Sequence, residues 1–197
     1  MASLYFTYSA MDAGKTAEII IVQHNYSQKN MHAVIFKPLI DTLHDANTVE
    51  SRIGVKKPSV PFAKEDNLFS MVENIHHQQA LDCLLVDEAQ FLTKAQVHQL
   101  TDIVDLLNIP VMCYGLRTDA FGEVFEGASY LLALADKIRE RKNICFCGSK
   151  ATMNMRIDPE GNVMREGAQI AIREEGDVVQ YRYESVCRKH FKAGQYR

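Results

Sequence analysis

Leu4-Tyr5-Phe6-Thr7-Tyr8-Ser9-Ala10-Met11-Asp12-Ala13-Gly14-Lys15-Thr16 opens the chain. Leu4, Phe6 and Tyr8 alternate as a short strand does, Ser9 to Gly14 read as a loop, and an alanine-, glutamate- and isoleucine-rich stretch to about Tyr26 reads as a helix. Ser9 to Thr16 match the second half of the phosphate-loop pattern, Gly-Lys-[Ser/Thr], with Ser9 in place of the usual first glycine. In such a loop backbone N–H groups converge on phosphate oxygens, and the following helix turns its positive end to the same charge. Lys15 is the residue to reach the outer phosphates, and the Thr16 hydroxyl is the one to ligate Mg²⁺.

Working outward, β and α patterns alternate. His32 to Lys37 is a second apolar strand, and Pro38 to Pro61 is a polar segment of little periodicity, a loop long enough to be functional. Leu68 to Gln79 is helical, and Leu81 to Val86 reads as a buried parallel strand. Thr93 caps a helix with apolar positions Val97, Leu100, Val104 and Leu107, and Ile109 to Tyr114 returns as a strand. Arg117 to Gly127 forms a loop before a short helix, Ala128 to Ala135. The fold class expected is α/β: a nucleotide-binding domain with a mainly parallel sheet and helices on both faces, its ligands at the carboxyl ends of the strands. From about Ile138 the texture changes to cysteines, glycines and short alternating stretches, so the chain divides into an ATP-binding domain, 1–137, and a small β-rich zinc lobe, 138–197.

At the end of the third strand stand Asp87 and Glu88. An acid here holds Mg²⁺ in phosphate-loop enzymes, a role that suits Asp87. Glu88 can face the cleft and accept the proton leaving a hydroxyl, which makes it the candidate general base. Cys145 and Cys147 form one ligand pair, Cys187 and His190 another, separated by roughly 40 residues. Thiolates and imidazole suit Zn²⁺, and four protein ligands leave no open position for water, so the site reads as structural. Cys83 and Cys113 lie in apolar runs and read as core. The pair His76-His77 and the short basic tail Lys189 to Arg197 read as surface.

Composition narrows the classes. The chain has 197 residues, 47% hydrophobic and 24% charged, with a net charge of -3, which argues against a general nucleic-acid backbone binder. Met1 to Met11 lacks the basic start of a secretory signal, no apolar run reaches membrane-spanning length, and five cysteines suit a reducing compartment. These features point to a cytoplasmic protein without nucleic-acid or membrane partners.

Four tracts together, Leu4 to Thr16, Val86-Asp87-Glu88-Ala89-Gln90-Phe91, Cys113-Tyr114-Gly115-Leu116-Arg117-Thr118-Asp119 and Ser185-Val186-Cys187-Arg188-Lys189-His190, resemble the zinc-containing (type II) thymidine kinases, especially the bacterial ones. The resemblance spans nearly the whole chain. It implies ATP and Mg²⁺ as cofactors, deoxythymidine as the acceptor, a homotetramer, and feedback inhibition by the end-product triphosphate. It also implies that Ser9, Ala10, Met11, Asp12, Ala13, Gly14, Lys15, Thr16, Asp87, Glu88, Ala89 and Gln90 contact the donor nucleotide. Met11, Phe91, Leu116 and Phe125 line the thymine pocket by the same resemblance, Asp41 meets the deoxyribose, and Tyr183 belongs to the lasso loop that covers the base. The chain departs from the pattern in three places. Asp41-Thr42-Leu43 lacks the arginine of Asp-x-Arg, for which Arg52 is a replacement. Ala120 precedes Phe121 where phenylalanine follows directly in relatives, and Ile172-Arg173-Glu174-Glu175-Gly176 replaces Ile-Gly-Gly in the lasso. The competing readings are a kinase for deoxyuridine or deoxycytidine, and a phosphate-loop ATPase with a zinc lobe acting on nucleic acid.

Overall fold

The computed structural model describes residues 1–39, 46–169 and 181–197. Six parallel strands form its central sheet in the order β5-β2-β6-β7-β1-β8. In chain order these are β1 (Leu4–Ser9), β2 (Ala33–Pro38), β5 (Val60–Phe62), β6 (Cys83–Val86), β7 (Val111–Leu116) and β8 (Lys137–Glu140). A parallel sheet needs crossovers, and the helices α1 (Lys15–Ser27), α2 (Leu68–Gln78), α3 (Lys94–Leu107) and α4 (Glu126–Leu134) lie along them.

Strand alternation sorts the core into two layers. Leu84, Val86 and Phe36 face one side and pack with Leu68 and Val72 of α2, Val97 and Leu100 of α3, and Leu131 of α4. Cys83, Leu85 and Ile35 face the other side and pack with Ile19 and Ile20 of α1. Cys83 to Val86 are all fully buried, as a strand covered on both faces must be, and Cys83 and Cys113 are core residues as expected.

The polar segment Pro38 to Pro61 is not one long loop. It contains the antiparallel hairpin β3 (Thr48–Glu50) with β4 (Lys56–Pro58), and then β5 on the sheet edge. Proline in Val60-Pro61-Phe62 hides the strand from a sequence reading, yet an edge strand bonded on one side alone tolerates the missing N–H. Helix α4 begins at Glu126, ahead of the expected Ala128. Gly127 reads as a helix breaker, but here it serves close packing: an added Cβ would lie 2.6 to 2.9 Å from the carbonyl oxygens of Ala89, Leu92 and Gln90.

Beyond the sheet, β9 (Asn143–Ile144) pairs with β10 (Lys150–Ala151), and β11 (Met153–Ile157) pairs with β12 (Arg182–Val186), both antiparallel, before the short helix α5 (Arg188–Ala193). The apolar centre of this part is small: Cys145, Ala151, Met155 and Val186 are its buried residues. Strand β8 pairs with β1 in the main sheet, so a division at 137/138 falls inside a sheet strand.

Capping fixes the start of α3. The Thr93 hydroxyl accepts from Gln96 N–H at 3.2 Å and the Gln96 side chain accepts from Thr93 N–H at 3.1 Å. Gln96 is also buried and donates through Nε2 to Ala63 O at 2.8 Å, tying α3 to the segment before α2. Thr93→Ala is expected to lower unfolding free energy by about 1 kcal/mol, and Gln96→Ala by more, about 2 to 3 kcal/mol, because it removes the bond to Ala63 O together with its half of the capping pair. Denaturant unfolding of the two variants checks the order.

Candidate active site

The parallel register brings two loop starts to the same edge of the sheet. Strands β1 and β6 both flank β7, and their last residues, Ser9 and Val86, pair with Leu116 and Cys113. The loop after β1 and the acids after β6 therefore lie side by side, at the carboxyl ends where ligands of such sheets collect.

In the loop from Ser9 to Thr16, the left-handed positions are Asp12 (φ 62°) and Gly14 (φ 76°). Ser9 is the last residue of a strand and needs no positive φ, so serine fits where the pattern has glycine. Its hydroxyl accepts from Lys15 Nζ at 2.9 Å, and Lys15 Nζ also donates to Ala10 O at 3.2 Å. Burial lowers the pKa of Lys15, opposed by the carboxylates of Glu88, Asp87 and Asp12 in that order. Glu88 thus stands near enough to Lys15 for the two charges to sense each other. Arg52 forms an ion pair with Asp12, which brings it beside the loop. Arg141, unremarked in the sequence, donates through Nε to Ala13 O and pairs with Glu18 on α1.

Asp87 is buried. Its Oδ2 accepts from the Thr16 hydroxyl at 3.1 Å, and its Oδ1 accepts from Glu88 N–H at 3.0 Å. Desolvation raises its pKa first and the Glu88 carboxylate raises it further, to about 7. Neighbouring ligands on an octahedral Mg²⁺ at ~2.1 Å stand about 3 Å apart, the spacing of these two oxygens. Thr16 and Asp87 therefore fit a magnesium ion.

Glu88 is half-buried and adopts φ 48°, a strained value for a residue with a side chain. The single 3₁₀ turn Ala89–Phe91 follows. Gln90 is buried and serves as its internal brace: Nε2 donates to Glu88 Oε2 at 2.5 Å, and Oε1 accepts from Leu116 N–H at 2.9 Å. Gly115 and Gly127 allow this turn to press against β7 and α4, since a Cβ on Gly115 would lie 2.7 Å from Gln90 Oε1.

Of the residues expected around the base, Phe91 and Phe125 meet edge to face with ring centroids 5.7 Å apart, and Leu116 packs against the same core. Phe91 also lines a cleft of about 230 Å³ with Pro38, Leu39, Phe62, Ala63, Lys64 and Glu65. Tyr183 stands on β12, where its hydroxyl accepts from Arg156 Nε at 2.9 Å. Asp41 and the lasso residues 172–176 lie outside the described residues. Arg156, which sequence reasoning missed, is buried against the rings of Phe121, Tyr181 and Tyr183 and donates to Ala168 O at 2.9 Å and Gln169 O at 3.2 Å. Its signal was faint: one arginine inside an apolar alternation.

The second constellation assembles as expected. The donor atoms of Cys145, Cys147, Cys187 and His190 all lie within 4.8 Å of one another. His190 Nδ1 stands 3.4 Å from Cys145 Sγ and 3.3 Å from Cys187 Sγ, close to the roughly 3.5 Å edge of a tetrahedral zinc site with Zn–S ~2.3 Å and Zn–N ~2.0 Å. Phe146 stacks on the His190 ring with centroids 4.4 Å apart. The Cys₃His donor set is compatible with zinc.

The sequence profile described as thymidine kinase matches residues 2–191. The chain belongs to the thymidine kinase family. Its similarity to other members of the thymidine kinase family runs nearly end to end. The thymidine kinases of Idiomarina loihiensis and Shewanella oneidensis are each 50% identical over 192 residues, covering 98% of this chain and 97% of theirs. That of Escherichia coli K12 is 48% identical over 192 residues, covering 98% of this chain and 91% of its own.

Gly127→Ala is expected to destabilise the fold by about 1 to 3 kcal/mol, because backbone carbonyls surround the added methyl and cannot retreat as a side chain would. Thermal or denaturant unfolding checks this.

Proposed function

We propose that this chain is a thymidine kinase that moves the γ-phosphate of ATP to the 5′-hydroxyl of deoxythymidine, giving dTMP for nucleotide salvage and DNA precursor synthesis. The observation that carries the reading is the 3.1 Å contact joining Thr16 of the phosphate loop to Asp87, with Glu88 next in sequence. Family membership supports the acceptor. Backbone amides between Ala10 and Thr16, with Lys15, hold the triphosphate, and Arg52 beside Asp12 is the arginine closest in role to the missing Asp-x-Arg. Thr16 and Asp87 would hold Mg²⁺, which when bound would neutralise charge on the phosphates.

Glu88 accepts the proton of the 5′-hydroxyl as its oxygen attacks the γ-phosphorus and the bond from that phosphorus to the β-phosphate oxygen breaks, releasing ADP. Gln90 keeps one Glu88 oxygen occupied by a hydrogen bond, which aims the carboxylate and leaves the other oxygen for the substrate. Strain at Glu88 supports the same role, since left-handed non-glycine residues persist where the surrounding packing fixes them. Phe91, Phe125, Leu116 and the Met11 side chain form the base pocket, with Tyr183, held by Arg156, contributing from β12. Asp41 meets the sugar by family resemblance. Ala89 and Gln90 complete the donor side.

Zinc at Cys145, Cys147, Cys187 and His190 is structural: all four positions are protein ligands, and the lobe has a small core. We place the division between the two parts after Glu140, where the sheet ends. No helix among the described residues is long and apolar enough to cross a membrane. A cytoplasmic homotetramer without nucleic-acid partners is the assembly we propose, on the family resemblance and the net charge of -3.

Transfer of labelled γ-phosphate from ATP to thymidine, deoxyuridine, deoxycytidine and deoxyguanosine in parallel tests the assignment, with thymidine expected to be the preferred acceptor. ATP hydrolysis stimulated by DNA without transfer to any nucleoside would overturn it. Glu88→Gln is expected to lower kcat by about 10² to 10⁴ with little change in ATP affinity; near-normal turnover would remove Glu88 from the role of base. Elemental analysis should find about one zinc per chain, and its removal by a chelator should unfold the lobe, visible in far-UV circular dichroism.

A further inference from the structure

The peptide groups of Met11 are held by three side chains that all come from the cysteine-bearing lobe. Asn154 Oδ1 accepts from Met11 N–H at 2.8 Å. Asn143 Nδ2 and the Ser185 hydroxyl both donate to Met11 O, at 2.7 and 2.8 Å. Asn154 is buried, and it faces Ser185 across the β11–β12 ladder with Ser185 Oγ 3.5 Å from its Oδ1. The three side chains therefore form one network around one residue of the phosphate loop.

Their positions in the chain connect this network to the metal ligands. Asn143 stands two residues before Cys145, and Ser185 stands two residues before Cys187. Each ligand pair thus begins on the same short strand or strand end that presses a donor against Met11. The packed apolar cluster of the lobe is small, with Cys145, Ala151, Met155 and Val186 as its buried members, and the Cys₃His cluster joins the end of β9 to the end of β12. On the other side, Met11 immediately precedes Asp12, whose positive φ starts the curl of the loop toward Gly14 and Lys15. Fixing both the N–H and the C=O of Met11 fixes the plane from which that curl departs.

We propose that Asn143, Asn154 and Ser185 are positioning residues that make the shape of the phosphate loop depend on the metal-held lobe, so that zinc retention and nucleotide binding strengthen each other. The inference rests on the reading of Ser9 to Thr16 as a phosphate loop and on zinc in the Cys₃His cluster. Reciprocity follows from linkage: if the ordered lobe favours the bound loop, a bound nucleotide must favour the ordered lobe by the same factor. The network also predicts a pattern that simple loss of packing does not. The Met11 carbonyl has two donors, so either one alone keeps it satisfied, whereas its N–H has the Asn154 acceptor alone among the hydrogen bonds of the described residues.

The test uses the full zinc-loaded chain, a non-hydrolysable ATP analogue with Mg²⁺, and two readouts: analogue affinity by calorimetry and zinc release to a chromogenic chelator. In the unaltered chain a saturating analogue should slow zinc release several-fold or more. Asn143→Ala and Ser185→Ala should each weaken analogue binding less than about 3-fold, the double variant about 10-fold or more, and Asn154→Ala about 5- to 100-fold, with zinc content and circular dichroism unchanged. Ser185→Thr, which keeps the hydroxyl, should bind as the unaltered chain does. Equal zinc release with and without saturating analogue would overturn the coupling without recourse to any variant. Normal analogue affinity in a fully zinc-loaded double variant would overturn it too. Failure of the unaltered chain to bind the analogue at all would instead sink the phosphate-loop reading beneath it.

Discussion

The contact between the Thr16 hydroxyl and the Asp87 carboxylate joins residues 71 positions apart, and the chemistry at the strand ends is arranged around it. It exists because β1 and β6 run parallel on either side of β7, so that the segments following both leave from the same carboxyl edge of the sheet. Burial pushes the charges there toward neutrality, raising Asp87 and lowering Lys15. For Asp87 the sign is clear: a carboxyl whose folded pKa lies above its unfolded value withdraws stability as pH rises through the interval between them. Cations nearby reverse that tendency, and Lys15 already opposes it. A site whose own groups resist being charged alone is matched to a ligand that brings both a divalent cation and phosphates, because each incoming charge meets its opposite in a partly dry environment.

Around that contact, the turn from Glu88 to Phe91 is shaped by absence of side chains elsewhere. Gly115 and Gly127 allow the backbone of residues 89 to 92 to approach β7 and α4 more closely than any Cβ would permit. Gln90 then uses both ends of its amide, one on Glu88 and one on Leu116 N–H. Such over-determination is what lets Glu88 remain at φ 48°, a conformation costing on the order of 1 kcal/mol or more. The edge-to-face pair of Phe91 and Phe125 is anchored to the same turn, so the acid and the aromatic wall share one frame.

What could be read in the sequence was whatever depended on local periodicity or on a fixed spacing. Leu4–Ser9 was legible from the alternation of Leu4, Phe6 and Tyr8, Cys83–Val86 because a parallel strand buried on both faces is apolar throughout, and the start of α3 because Thr93 and Gln96 are local partners. The Cys₃His cluster was legible as two spaced pairs. Strand β5 was not, because Val60-Pro61-Phe62 owes its place to β2 and not to its own composition, and α4 was cut short because Gly127 answers to a distant carbonyl cluster. Arg156 escaped notice for a related reason. Its partners are aromatic rings and backbone carbonyls drawn from residues 121, 168, 169, 181 and 183, and no carboxylate at helical spacing announces it.

The lobe that follows the sheet raises a question of how so little apolar material keeps its strands in place. A cluster whose buried members are Cys145, Ala151, Met155 and Val186 cannot supply what the large layers around the sheet supply, since burial of each side chain contributes only about 1.5 to 3 kcal/mol before ordering is subtracted. Cross-links of another kind must do the rest. A metal on the three thiols and the imidazole gathered within 4.8 Å would provide one, since metal binding to such a set amounts to folding free energy for the segments that carry it. Polar contacts to the main domain provide the other, through Met11, Ala13 and Glu18. Those contacts do not reach a rigid helix face or a strand centre. They reach the loop from Ser9 to Thr16 and the first turn of α1, so the small-cored lobe leans on the same segment that opens the site at the strand ends.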